Sequence, residues 1–218
     1  MNNISKKNQA AETLTVQDVI EGRGRVEPPE IPDLTDAEAH AGSHLARVHQ
    51  MYLRDLNQIE ALMEAIREGR ADPAALAPAL RKLPMAENLQ MFGTVCGQAC
   101  GALSNHHLIE DSSLFPHIER SAIDHAPVVA RLRAEHKVIE VALEHLAEKA
   151  DALAQAQSGA GEDDNHAVSP ATDARAVDHD TFEPVAESYA ELLAVLRSHF
   201  GYEETRLAPI MGRLKMFG

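Results

Sequence analysis

Four long stretches of this chain repeat apolar residues at spacings of three and four, and none alternates as a half-buried strand does. That period restricts the chain to helices whose apolar stripes must cover one another. The first stretch follows Thr35-Asp36-Ala37-Glu38, which has capping-box spacing, and runs to about Arg67. Its stripe is Leu45, His49, Tyr52, Leu53, Leu56, Ile59 and Met63. A short helix from Pro73 to about Lys82 comes next. The second long stretch runs from about Ala86 to Ser112, with Phe92, Cys96, Ala99, Leu103, His106 and Glu110 on its stripe. Pro116 is expected to end it, because proline cannot continue the hydrogen-bond ladder. The third runs from Pro127 to about Ala156, with Val129, Leu132, His136, Ile139, Leu143 and Leu146 aligned. Asp180 or Glu183 caps the fourth, which carries Leu192, Val195, Leu196, His199, Tyr202 and Glu203 as far as Arg206, before Pro209 interrupts it. One all-α four-helix bundle buries all four stripes, whereas two separate helix pairs leave each stripe half exposed.

The rest of the chain is read around that bundle. Residues 1–33 hold no period and include a Pro-Pro-Glu-Ile-Pro run, which predicts a flexible or loosely docked N-terminal tail ahead of one domain, 34–218. Residues 157–180 are small, acidic and turn-forming, and predict a flexible loop between the third and fourth helices. With 34 acidic against 20 basic residues the net charge is -14, which argues against nucleic acid or an anionic membrane as partner. No apolar run approaches the roughly 20 residues that span a bilayer, and the N-terminus lacks the apolar core of a secretory signal. Cys96 and Cys100 are the only cysteines, one helical turn apart, so the expected compartment is the reducing cytoplasm. Both read as buried small residues.

Histidine is abundant for such a chain, at 12 residues, and some of it is periodic. Residues 106–116 and 199–209 both read His-x-x-x-Glu-[Asp/Glu]-x-x-Leu-x-Pro. The helix before each copy carries a lone histidine on its stripe, His49 and then His136. The chain thus reads as two copies of a helix pair. Residues four apart lie one turn apart on one helix face, about 6 Å along the axis, so imidazole and carboxylate can reach the same ion or two neighbouring ions. A carboxylate on an apolar stripe is costly unless it is paired or bound to metal. The candidate ligands are therefore His49, His106, Glu110, His136, His199 and Glu203, a mixture of imidazole and carboxylate that suits Fe, Mn or Zn.

Tyr52 lies one turn after His49 and Tyr202 one turn after His199, so both are expected near the ions. Tyr52 could ligate, donate a hydrogen bond to a bound oxygen species, or pack with its hydroxyl tied elsewhere. Glu140, one turn after His136, is a possible additional ligand or a solvated carboxylate. Asp111 and Glu204 follow the motif glutamates and either accept N–H bonds from ligand imidazoles or face water. His107 points about 100° away from His106, which reads as a residue beside the ligands or at the surface.

These motifs resemble the haemerythrin-like HHE cation-binding family over about residues 40–211. The resemblance implies a four-helix bundle around a non-haem di-iron centre: two iron ions per chain joined by an oxo or hydroxo group, with Glu110 and Glu203 as bridging carboxylates. Oxygen-carrying haemerythrins bear His-x-x-x-His on the third helix. Here position 140 is Glu, which implies fewer imidazoles and either more open positions or an extra oxygen ligand. The expected partner is a small oxidant (H2O2, NO or O2), and the favoured activity is catalase-like or NO-consuming, with an unspecified electron donor. The alternatives are an O2, NO or iron sensor, an iron storage and delivery module, and a structural zinc bundle.

Overall fold

The structure, a computed structural model, describes residues 14–71, 103–159 and 179–216. The short helix expected at 73–82, the start of the second stretch with Cys96 and Cys100, and most of the 157–180 loop lie outside the described residues. Among the described residues the chain is helical, with no strand.

Helix α1 is Val16–Ile20, α2 is Asp36–Gly42 and α3 is His44–Arg67. The predicted capping box forms at Thr35, whose hydroxyl accepts from the Glu38 N–H while the Glu38 carboxylate accepts from the Thr35 N–H. The first stretch is not one continuous helix, however. It breaks at Ser43, and the break lets α2 turn across the last helix. Gly42 and Gly212 make the crossing possible: a Cβ on Gly42 would lie 2.1 Å from the Ala208 carbonyl oxygen, and one on Gly212 2.1 Å from that of Glu38.

Helix α4 is described from residue 103. It passes through a π-helical turn, Glu110–Leu114, and continues as Phe115–Ser121. The expected stop at Pro116 does not occur. The Phe115 N–H bonds to the Glu110 carbonyl five residues back, and the widened turn accommodates the proline at the start of the next α-helical segment. After a 3-10 turn, Ile123–His125, helix α5 runs Ala126–Gly159. Helix α6 runs His179–Arg213, and Pro184 and Pro209 lie within it rather than ending it.

The long helices bury their stripes against one another in two apolar clusters. One holds Leu56, Ile59, Met63, Ile139, Leu143, Leu192 and Leu196; the other holds Leu45, Phe115, Ile118, Val129, Leu132 and Leu207. The buried histidines and glutamates lie on the same helix faces as these clusters. Residues 14–33 of the N-terminal segment lie along the bundle. Val19 is fully buried in the first cluster, and α1 packs on α5 and α6.

Candidate metal centre

All six candidate ligands are buried and face one polar volume between α3, α4, α5 and α6. From α3, His49 brings its Nε2 to 3.1 Å from the Nε2 of His106 on α4 and 3.4 Å from a Glu203 oxygen on α6. The Nε2 of His106 lies 3.2 Å from one oxygen of Glu110, and the Nε2 of His136 lies 3.6 Å from the other. The Nε2 of His199 lies 3.8 Å from the same Glu203 oxygen that faces His49. Each glutamate thus stands between a histidine of one group and a histidine of another. The ligand-capable atoms gather into two sets, His49 with His106 and Glu110, and His107 with His136 and His199.

His107 is the residue that spacing alone misses. It is buried, and its ring stacks on His136 with centroids 4.2 Å apart. The reason is angular. At about 100° per residue, Glu110 lies roughly 40° past His106 and 60° short of His107, so one inward sector admits all three. His107 matches Phe200 in the second copy of the motif, and Phe200 stacks on His49 at 3.9 Å, as His107 stacks on His136. Where four imidazoles are expected, the buried cluster holds five histidines.

The acids after the motif glutamates orient imidazoles. The Nδ1 of His49 lies 2.9 Å from Glu204, and the Nδ1 of His136 lies 3.1 Å from Asp111. A proton on Nδ1 leaves the Nε2 lone pair facing the cluster. His199 uses a carboxylate that the motif does not announce. Its Nδ1 lies 3.0 Å from Glu135, which is fully buried and also bonded to Arg25 and Arg131. Glu140 is exposed and outside the cluster. The Tyr52 ring is half-buried, 5.2 Å from that of His106. Tyr202 turns away from the cluster, and its hydroxyl donates to the Val26 carbonyl at 2.9 Å.

The electrostatics suit a cation. Burial first, then the Glu203 and Asp111 charges, push the Glu110 carboxyl well above its ordinary range. Burial likewise pushes Glu203 up to about 8. Burial pushes His106 down to about 2 and His199 down to about 4, and His107 falls well below its ordinary value. Burial, then Glu110, raises the Tyr52 phenol, which keeps it an O–H donor in the metal-free chain. Both oxygens of Glu110 and of Glu203, and the Nε2 atoms of His107, His136 and His199, have no hydrogen-bond partner. Unpaired buried polar atoms are costly, and seven of them converging on one volume fit a site built for positive ions.

Fold and cluster together define a helical bundle built to hold a metal cation. The comparison with known families agrees: the Hemerythrin HHE cation binding domain matches residues 40–168, and the chain belongs to that family. The matched stretch includes His49, His106, Glu110 and His136, while His199 and Glu203 lie beyond it on α6. No curated protein and no solved structure matches the chain.

Proposed function

We propose that the chain is a non-haem di-iron protein that reduces a small oxidant, in which His49, His106, Glu110, His136, His199, Glu203 and His107 hold the two ions. The observation that carries this reading is the pair of buried glutamates, unsatisfied at all four oxygens, each facing histidines of both sets. That donor set fits iron, and bound iron supplies Lewis acidity and electrons for reducing peroxide, NO or O2.

The chain's own residues provide the rest. Asp111, Glu135 and Glu204 hold imidazoles with Nε2 inward. A cavity of about 620 Å³ reaches His106 and Glu110 from the surface, between Val48, Ile109, Leu114 and Met216. It admits a small molecule to the two-histidine side. On the three-histidine side the buried Phe115 ring stacks on His136, with centroids 5.4 Å apart. Tyr52 adds an O–H donor beside His106. Re-reduction is assigned to a separate donor. No helix among the described residues is long and apolar enough to cross a membrane.

Metal analysis and the visible spectrum of the purified chain test this reading, followed by peroxide and NO consumption by the iron-loaded protein. Two irons per chain and turnover of one oxidant are expected. Glu110→Ala and Glu203→Ala should each lose at least one ion. Two tightly held ions in both variants would refute the ligand assignment. Full iron occupancy without turnover would refute the enzyme and leave a binding or sensing module.

A further inference from the structure

The N-terminal segment is wired into one half of the centre. Glu135, on α5 beside His136, is a fully buried carboxylate with three partners besides solvent-free packing. Arg25 grips it with two parallel bonds, Nε to Oε1 at 2.9 Å and Nη2 to Oε2 at 3.0 Å. Arg131 bonds Oε1 at 2.8 Å, and the Nδ1 of His199 bonds Oε2 at 3.0 Å. A fork on a carboxylate fixes the plane of the acceptor as well as its position. That plane sets the direction from which His199 must donate.

Arg25 is itself held by the two residues that flank the inward side chains of α6. Its Nη1 donates to the Ser198 hydroxyl at 3.0 Å, and its guanidinium lies 4.6 Å from the centre of the Tyr202 ring. The Ser198 hydroxyl donates to the Val19 carbonyl at 2.8 Å, and Tyr202 exchanges bonds with both backbone groups of Val26. Along α6, therefore, Ser198 and Tyr202 receive the N-terminal segment while their neighbours His199 and Glu203 face the cluster. The other two oriented imidazoles have looser supports: the side chains of Glu204 and Asp111 are 30 % and 37 % exposed, and that of Glu135 is 0 %.

We propose that Arg25 is a positioning residue for the centre, fixing the His199 imidazole through Glu135, so that docking of residues 15–26 governs how tightly the three-histidine side holds its ion. This rests on the di-iron reading above. It also gives the segment a function: loosening it would weaken one ion and spare the other, because among the described residues no comparable link runs from the segment to His49 or His106.

The test uses the full chain with Fe(II), loaded without oxygen and released to a chelator. The variants are Arg25→Met, Arg25→Lys and Glu27→Ala. Glu27→Ala removes a neighbouring exposed ion pair with Arg206, outside residues 15–26, and leaves the Arg25–Glu135 link and the docking of that segment in place. Arg25→Met should speed release of one of the two ions by about 10- to 100-fold, the usual cost of losing a partner behind a metal ligand. Arg25→Lys should fall between it and wild type, and Glu27→Ala within about twofold of wild type by the same reasoning. Equal release from Arg25→Met and wild type, or from Arg25→Met and Glu27→Ala, overturns the proposal. Imidazole nitrogen NMR of the metal-free chain separates this failure from failure of the di-iron reading. Wild type should show one Nδ1–H form of His199, and Arg25→Met a mixture. A wild-type chain that takes up no iron refutes the centre, while an unchanged His199 signal in Arg25→Met refutes the role of Arg25 by itself.

Discussion

Filling the centre should expel protons, and their number and pH dependence follow from the burial of its ligands. Metal ligands bind deprotonated. With Glu203 at about 8, roughly nine-tenths of that carboxyl is protonated at pH 7 in the metal-free chain. Glu110 is shifted in the same direction, by burial first and then by its acidic neighbours. His106, at about 2, and His199, at about 4, are already neutral and release nothing. Loading should therefore release close to one proton per chain from Glu203 at pH 7, with Glu110 adding to it, and fewer as pH rises through 8 and Glu203 ionises unaided. Titration with Zn(II), which undergoes no redox change, in buffers of different ionisation heat counts these protons by calorimetry. Ordinary solvated ligands behave differently: five free histidines, each about a quarter protonated at pH 7, release about one proton together, almost none at pH 8, and several as pH falls through about 6.5. That second pattern would refute the account of the buried carboxyls.

Without metal, the same shifts give the fold a stability maximum near pH 6.5. The raised glutamates stabilise below about 4.5, and that contribution is lost as pH rises through the folded value, about 8 for Glu203. The depressed histidines work in the other direction: as pH falls below about 6.5 the unfolded chain gains protons that folded His49, His106, His107 and His199 refuse. Four histidines outweigh two carboxyls between about 4.5 and 6.5, so thermal unfolding of the chelator-treated chain should peak near the upper limit; a steady rise to pH 8 would contradict this. His107→Phe, which makes the two motif copies alike at that place, should weaken one ion by about 10-fold or more and spare the other; equal retention of both in a chelator competition would remove His107 from the site. Gly42→Ala and Gly212→Ala should each cost roughly 1–3 kcal/mol in thermal unfolding, since a Cβ at either place meets a backbone carbonyl at 2.1 Å; no loss would mean that α2 does not cross α6 as closely as described.

The helical architecture and six of the clustered residues are legible in the sequence because a stripe and a one-turn spacing are local properties. Thr35 and Glu38 cap as their spacing says. What spacing cannot carry is width and distance. His107 enters because the inward sector of α4 spans His106 to His107 with Glu110 between them, and a strict four-residue rule looks along one line of that sector only. Glu135 is legible as an acid beside a ligand, but its role depends on Arg25, 110 residues away in sequence. Docking of residues 14–33 has no periodic signal, because single side chains such as Val19, Arg25 and the Tyr202 hydroxyl secure it. Pro116 and Pro209 fail as stop signals for a related reason: a π turn at one and tertiary packing around the other outweigh a local preference.

The two acid–imidazole bonds to His49 and His136 run crosswise between the motif copies. His49, in the first helix pair, leans on Glu204 of the second, and His136, in the second, leans on Asp111 of the first. Neither pair taken alone contains both members of either bond. A lone pair would therefore complete its centre only by meeting a second copy of itself about a two-fold axis, and the chain has the form of such a dimer joined end to end. Joining the copies also frees them from identity. At matching places one carries His107 and the other Phe200, each stacked on the lone histidine of the opposite pair, an inequality that an assembly of identical subunits could not encode.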